Sequence, residues 1–402
     1  MSKQEKKALV PVLRFPEFKK TGEWKEKPLS QICEVNPSTY DLPETFVYVD
    51  LESVEAGQLL RKNIISRDGA PSRAARLLKK GDVIFQMVRP YQKNNYFFLP
   101  NDDLDYVAST GYAQLRAHAS NRYLFQYLHT DRFVNRVLER CTGSNYPAIN
   151  SSDLSEILVE ISGVEEQQKI ADCLTSADEL ITAQTQRLDA LRTHKKGLIQ
   201  QLFPNEGETI PKLRFPEFQD MGEWEEKEIG EVFDVTRGYV LSMGMVNAEY
   251  STETPFPVYS SQTKKKGLAG YYSEFLYENA ITWTTDGANA GEVNYRKGKF
   301  YCTNVCGVLT NDKGQANPCI AALLNTVTRK HVSYVGNPKL MNGVMSKIII
   351  PFPTLKEQHK IADCLASIDE LINAQSDKVD ALKNHKKGLM QQLFPAKDEV
   401  TG

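Results

Sequence analysis

Apolar residues recur at steps of three and four along two long stretches of this chain. The first stretch runs from about Glu165 to Phe203 and the second follows the same register some 190 residues later. A stripe sustained over more than four heptads predicts one long helix in each stretch. Pro204 and Pro395 end the two helices. The predicted seam residues are Ile170, Leu174, Ile181, Leu188, Leu191 and Leu198, then Ile361, Leu365, Ile372, Val379, Leu382 and Leu389.

A helix of this length, about 58 Å, cannot bury its stripe alone. The nearest partner is its own repeat, so we expect the two helices to pair as an antiparallel coiled coil. Gln and Lys fill matched seam positions and would fix the register of the pair. The alternative is two unrelated amphipathic helices on separate bodies. Ser162 with Glu165, and Thr354 with Glu357, predict capping boxes at the helix starts.

The chain also repeats itself outside the helices. Leu13–Phe18 (LRFPEF) returns as Leu213–Phe218, and the helix end HKKGLIQQLFP returns with a single change of Ile199 to Met390. Residues 23–160 and 223–352 differ from each other and carry short β-branched and aromatic runs separated by turn signals. The fold class is therefore α+β: two mixed globules with β-rich cores, two long helices, and a pseudo-two-fold internal repeat.

Composition places few limits on function. The 402 residues are 41% hydrophobic and 25% charged with a net charge of −2, which is typical of a globular protein. No apolar run is long enough for a membrane span, and the N-terminus lacks the apolar core of a signal peptide, so we expect a cytoplasmic protein. An odd number of scattered cysteines agrees with a reducing compartment.

Motifs for catalysis are missing from the sequence. Neither a Walker nucleotide-binding loop nor an Asn-Pro-Pro-Tyr/Phe methyltransferase motif occurs. The spacing of Cys302, Cys306, Cys319 and His331 differs from that of a zinc site, whose last two ligands are close together. We therefore expect no catalytic residue, no bound metal and no cofactor in this chain. A cryptic active site in one globule is the alternative.

Local charge favours a nucleic-acid partner. Nine basic residues against two acids give +7 between Arg61 and Lys93, in an otherwise neutral chain. Cations anchor phosphates, whereas Arg, Asn and Gln can also bond base edges. Ordinary solvated faces are the alternative. The candidate DNA-binding residues are Arg73, Arg76, Arg89, Tyr91, Lys93, Asn94, Asn95, Ser144, Asn145, Ser261, Gln262, Lys264, Lys265, Asn289, Arg296, Asn337 and Lys339.

These repeats resemble the specificity subunits of type I restriction–modification systems. The resemblance rests on the LRFPEF and GEW entries, the helix starts EEQQKIADCL and KEQHKIADCL, and the twin HKKGL(I/M)QQLFP ends. Residues 73–90 and 281–309 also look familial. On this resemblance, residues 1–160 form a first target recognition domain and its entry, and residues 161–204 a spacer helix. Residues 205–352 form a linker and second target recognition domain, and residues 353–402 the second spacer helix and tail.

The resemblance implies a non-catalytic subunit whose two globules read the halves of a split, asymmetric double-stranded DNA target. The helices would set the unread gap and dock two methyltransferase subunits, with restriction subunits joining the complex. S-adenosylmethionine, ATP and Mg²⁺ would belong to those partners. The alternative is a two-headed scaffold that never reads DNA, and charge reversal at Arg73 and Arg89 would discriminate between the two.

Overall fold

A computed structural model describes residues 9–39, 41–261 and 264–395. The chain divides into two compact units. Unit 1 comprises Met1–Thr185 and Asp377–Gly402, and unit 2 comprises Gln186–Ser376. Each unit therefore contains one globule, the start of one long helix and the end of the other. None of the described helices combines the length and apolar character that a bilayer crossing requires.

Unit 1 is rich in short strands. Its strands are β1 (Lys25–Pro28), β2 (Cys33–Val35), β3 (Thr45–Val49), β4 (Val54–Glu55), β5 (Gln58–Leu59), β6 (Asn63–Ser66), β7 (Ala74–Leu77), β8 (Val83–Gln86), β9 (Tyr96–Phe97), β10 (Tyr106–Ser109), β11 (Tyr112–Ala117) and β12 (Leu158–Ile161). Its helices are α1 (Asn121–Tyr127), α2 (Asp131–Leu138), α3 (Ser151–Ser155) and the first part of α4 (Val164–Leu202).

Unit 2 repeats this plan with fewer strands. The strands are β13 (Glu225–Glu228), β14 (Asp234–Arg237), β15 (Phe256–Tyr259), β16 (Leu268–Tyr272), β17 (Tyr277–Thr284), β18 (Val293–Cys302), β19 (Cys306–Thr310) and β20 (Ile349–Phe352). The helices are α5 (Ile229–Val232), α6 (Pro318–Val327), α7 (Asn342–Met345) and the first part of α8 (Leu355–Leu393).

The two globules order their strands differently. Unit 1 has two four-stranded sheets, β6-β3-β10-β7 and β2-β11-β8-β9, whereas unit 2 has one six-stranded sheet, β14-β19-β17-β18-β15-β16. Both globules close with a two-stranded antiparallel pair, β1 with β12 and β13 with β20, next to the start of a long helix. The predicted α+β class with two β-rich globules and two long helices is confirmed.

A buried arginine joins each globule to its long helix. The guanidinium of Arg14 binds both carboxylate oxygens of Glu166 at 2.7 and 2.8 Å and also donates to the Thr21 carbonyl. Arg214 binds Glu357 in the same way at 2.8 and 2.9 Å. Only 3% of Glu166 is exposed. The repeated LRFPEF segment therefore anchors each globule through an arginine that is buried together with the glutamate it binds.

The end of the other long helix completes each anchor. In unit 1 the Leu13 amide donates to the Gln392 carbonyl at 2.9 Å, and Trp24 packs edge-on against Phe394. In unit 2 the Leu213 amide donates to the Gln201 carbonyl at 2.9 Å, and Trp224 packs edge-on against Phe203. The twin QQLFP ends therefore make the same interface twice.

The long helices run antiparallel within each unit. In unit 1, Ile170 and Leu174 of α4 share an apolar cluster with Leu389 and Leu393 of α8. Further along α4, both carboxylate oxygens of Asp178 accept from Lys386 of α8 at 2.6 and 2.7 Å. A later residue of α4 thus meets an earlier residue of α8.

Unit 2 contains the reciprocal ion pair. Lys195 of α4 donates to both carboxylate oxygens of Asp369 of α8 at 2.6 and 2.7 Å. The two seam lysines, Lys195 and Lys386, are therefore each neutralised by a carboxylate of the facing helix. A shift of one helix along the other would separate both lysines from their carboxylates, so the two ion pairs favour a single register of the helix pair.

The seam residues are buried or half-buried along both helices. The capping box predicted from Ser162 and Glu165 is wrong, since the Ser162 hydroxyl only approaches the Gly163 carbonyl at 3.4 Å. The Thr354 hydroxyl does accept from the Glu357 amide. However, Arg214 binds the Glu357 carboxylate, so this side chain takes no part in a box.

We expect Arg14→Met to lower the free energy of unfolding by about 3–5 kcal/mol, because it leaves the Glu166 carboxylate buried without a counter-charge. Urea denaturation of the full chain measures this change. Lys169→Met is the matched control. Lys169 lies on the same stretch of α4 as Glu166 and pairs with Glu17 of the entry segment, but both of these side chains are about half exposed. Equal unfolding midpoints for the two variants would contradict the anchoring role of Arg14.

Candidate nucleic-acid interface

One end of the first globule is tied together by backbone hydrogen bonds. The Thr110 amide donates to the Arg73 carbonyl at 2.8 Å, and the Met87 amide donates to the Gly111 carbonyl at 3.0 Å. The Ile149 amide in turn donates to the Met87 carbonyl. We call the surface formed by Arg73, residues 87–89, residues 109–111 and residues 142–148 the first edge.

The loop of residues 142–148 is closed at its base. Thr142 and Ala148 exchange two backbone hydrogen bonds of 2.9 and 3.0 Å. Gly143 has a φ of +90°, and a Cβ there would lie 3.1 Å from the Tyr146 carbonyl, so glycine fits this turn best. Ser144 and Asn145 are exposed, and 64% of Tyr146 is exposed. The loop therefore presents polar and aromatic side chains on a fixed backbone.

Four of the nine basic residues between Arg61 and Lys93 form ion pairs or hydrogen bonds with other groups of unit 1. Arg61 lies 3.3 Å from Glu52, Lys62 bonds Asp102, and Lys93 lies 2.7 Å from Asp131. Arg67 donates to the Leu42 carbonyl. The other five basic residues of the tract have no hydrogen-bonding or ionic partner for their side chains within residues 9–39, 41–261 and 264–395; they are Arg73, Arg76, Lys79, Lys80 and Arg89.

Asp82, an acid within the tract, does not neutralise the unpaired basic residues. Asp82 is buried, and its carboxylate accepts from Arg116 at 2.8 Å and from Gln114 at 2.6 Å. Its charge is therefore matched by an arginine outside the tract. Arg73 is exposed, whereas partial burial lowers the pKa of Arg76. Of the unpaired cations, Arg73 and Arg89 lie at the first edge, whereas Lys79 and Lys80 follow the other end of β7, away from this edge.

The predicted residues at the end of the tract and just after it mainly stabilise a turn. Asn95 is only 1% exposed, and its side-chain oxygen accepts from the Gln86 amide at 2.9 Å. The Asn94 side-chain oxygen accepts from the Ala56 amide at 3.2 Å. Lys93 donates to the His129 carbonyl at 2.9 Å as well as to Asp131. Tyr91 alone among the four predicted residues here projects half of its surface to solvent.

The second globule has a corresponding edge. The Leu340 amide donates to the Thr285 carbonyl, and the Gly287 amide donates to the Pro338 carbonyl, each at 2.9 Å. Ser333 and Lys339 close a loop of the same length with two bonds of 2.8 and 2.9 Å. We call residues 259–261, 285–289, 303–305 and 333–339 the second edge.

Several predicted residues gather at the second edge. The Asn289 side chain donates to the Ser261 carbonyl at 3.2 Å. Asn337 lies in the closed loop, and Lys339 lies 3.8 Å from Asp286. Lys265 is exposed in a short turn with a φ of +50°. Lys264 begins that turn, and Gln262 lies outside the described residues.

Arg296 does not lie at this surface. It is 7% exposed, its Nε donates to the Thr282 hydroxyl at 3.0 Å, and its guanidinium stacks 3.7 Å from the centre of the Tyr259 ring. Burial also lowers its pKa. Arg296 is therefore a core residue of the six-stranded sheet, and its place in the structure does not favour DNA contact.

Two exposed residues beside the second edge were missed by sequence reasoning. Arg237 donates to the Asn304 carbonyl at 2.6 Å, and the amide of Tyr239 donates to the Cys302 carbonyl. Gly238 between them allows the close approach, because a Cβ there would lie 2.2 Å from a carbonyl oxygen. The sequence signal that could have found them is the run of arginine, glycine and tyrosine at the end of a strand.

The cysteines considered for a metal site lie apart. Cys302 and Cys306 belong to one small apolar cluster, and Cys319 belongs to the main core of unit 2. Burial raises the pKa of Cys306 to about 11 and that of Cys302 and Cys319 further. His331 is exposed. Among the described residues, no group of three or more potential ligands could hold a metal ion.

We expect Asn95→Ala to lower the free energy of unfolding by about 1–3 kcal/mol, because the buried Gln86 amide loses its acceptor. Arg73→Ala removes an exposed side chain with no partner and should change it by less than about 0.5 kcal/mol. Urea denaturation of both variants separates folding residues from surface residues. An equal loss of stability in Arg73→Ala would remove Arg73 from the set of free surface cations.

Comparison with known proteins gives consistent matches. A family model described as the type I restriction modification DNA specificity domain matches residues 21–193 and again residues 221–384. A Mycoplasma pneumoniae protein described as the N-terminus of a type I specificity subunit is 39% identical over 34% of this chain and 74% of that protein. A second from that organism is 29% identical over 59% of this chain and 91% of its own length.

A solved structure shares the fold. The crystal structure of the S subunit of a type I restriction–modification system from M. genitalium matches with a TM-score of 0.64. The match covers 97% of this chain and 100% of that chain, at 15% sequence identity. At this identity the likeness concerns the fold alone.

Proposed function

Because this chain belongs to the type I restriction–modification DNA specificity family, we propose that each of its globules reads one half of a split, asymmetric DNA target. Members of this family recognise DNA sequence and are not catalytic, since catalysis resides in partner subunits.

The two edges carry the proposal. Each edge has a seven-residue loop closed by two backbone hydrogen bonds and fixed to a neighbouring strand end through a proline carbonyl. The side chains on these matched loops differ, with Ser144, Asn145 and Tyr146 on one and Tyr334, Asn337 and Lys339 on the other. Similar backbones with different donors and acceptors suit two different half-sites.

The most favoured readers are the predicted residues that are exposed or half-buried and do not anchor a turn or the core. In unit 1 these are Arg73, Arg76, Arg89, Tyr91, Ser144 and Asn145. In unit 2 they are Ser261, Lys265, Asn289, Asn337 and Lys339. Asn94, Asn95, Lys93 and Arg296 act mainly in folding, so we leave them out of the reading surface.

The long helices would set the unread gap between half-sites, since each of them contributes to both units. The repeated frame gives any partner two equivalent binding surfaces, with one anchor of Arg14 and Glu166 and another of Arg214 and Glu357. Two copies of a methyltransferase subunit therefore fit the repeat. Restriction subunits would complete the complex in the cytoplasm, where the DNA lies. S-adenosylmethionine, ATP and Mg²⁺ would bind those partners.

The experiment is a genome-wide map of adenine methylation in cells that carry this gene with its methyltransferase partner. The comparison is the same cells lacking only this gene. We expect the deletion to abolish methylation at one split, asymmetric motif. Unchanged methylation, in cells where the methyltransferase copurifies with this chain, would contradict the proposal and favour a scaffold that does not read DNA.

A further inference from the structure

Arg89 adopts a backbone conformation that normally suits glycine. Its φ is +53°, in the left-handed region, and its amide donates to the Pro147 carbonyl at 2.7 Å. The residue with the same hydrogen bond in unit 2 is Gly287, which donates to Pro338 at a φ of +95°. Strain of this kind concentrates at functional sites. An arginine where the matched frame has glycine therefore points to a role for the side chain.

The Arg89 guanidinium is positioned by stacking. It lies 4.1 Å from the centre of the Tyr146 ring, on the closed loop of the first edge. Its Nε is buried and has no acceptor, and no acceptor for the guanidinium lies in the described part of the chain. By contrast, the guanidinium groups of Arg14 and Arg116 bind carboxylates. The plane of Arg89 is thus held by an aromatic ring while its terminal donors stay available.

A fixed plane with free donors suits a planar acceptor pair. In the major groove guanine presents O6 and N7 side by side, and arginine bonded to both is the commonest specific contact. A phosphate contact needs no such orientation, and a flexible lysine makes it as well. We propose that Arg89 reads a guanine in the half-site of the first globule, with Tyr146 as its positioning residue.

This assignment rests on the proposed function and makes it asymmetric. Gly287 has no side chain, so the second edge lacks this contact. Guanine reading by a stacked arginine at this loop therefore belongs to one half-site only. The same backbone arrangement then reads guanine in the first globule, where the residue is Arg89, and lacks this contact in the second, where it is Gly287.

The test uses methylation maps of cells that express the full complex with wild-type chain, Arg89→Gly, Arg89→Lys or Tyr146→Ala. Arg89→Gly removes the reader and relieves the backbone strain, so the fold is retained. We expect discrimination for guanine to fall about 10- to 100-fold at one position of one half-site. Arg89→Lys should lose most of it too, and Tyr146→Ala should weaken discrimination at that same position. The other half-site should stay unchanged.

Lys80→Ala is the matched control, because Lys80 is also an unpaired surface cation but lies at the other end of β7 from the first edge, so its loss should leave the motif unchanged. The inference is overturned if Arg89→Gly gives the wild-type motif, weakens methylation evenly at every site, or relaxes a base other than guanine. A wild-type half-site without guanine overturns it as well. The proposed function fails separately, if no methylated motif depends on the wild-type chain.

Discussion

The buried arginine–glutamate pair at the root of each globule is the interaction on which the structure depends. Arg14 and Glu166 bond through two hydrogen bonds, and Arg214 and Glu357 repeat the arrangement. Desolvated charges of this kind are tolerated only when both partners are present in good geometry. The pair therefore fixes the entry segment onto the start of the long helix. The repeated helix end then packs against the adjoining tryptophan, so the junction is the same in both units.

A constant junction leaves the globules free to differ. One unit folds as two four-stranded sheets and the other as a six-stranded sheet, yet both begin and end in a two-stranded pair beside the long helix. Both also present a seven-residue loop that is closed by two backbone hydrogen bonds. The backbone of the junction and of the closed loop is thus the same in both units, whereas the side chains on the loops differ. Two globules that read different half-sites on one chain require this arrangement.

The long helices and the β-rich globules were predictable because their signals are local or repeated. Periodicity placed the helices within a residue or two of Val164–Leu202 and Leu355–Leu393. The roles of single polar residues were not, because their partners lie far away in sequence. Glu166 meets an arginine 152 residues earlier, and Lys93 meets Asp131. Likewise, charge counting could not show that Asn95 and Arg296 are core residues while Arg73 and Arg89 stay free.

The most direct measurement is the methylation map of a chain in which residues 25–161 are replaced by a copy of residues 225–352. Both segments begin and end in the paired strands that adjoin the anchor, so the junctions match. If the globules are exchangeable readers on a repeated frame, the methylated target acquires the second globule's half-site on both sides of the gap. Persistence of the asymmetric target, or loss of methylation from a folded and assembled complex, would contradict this account.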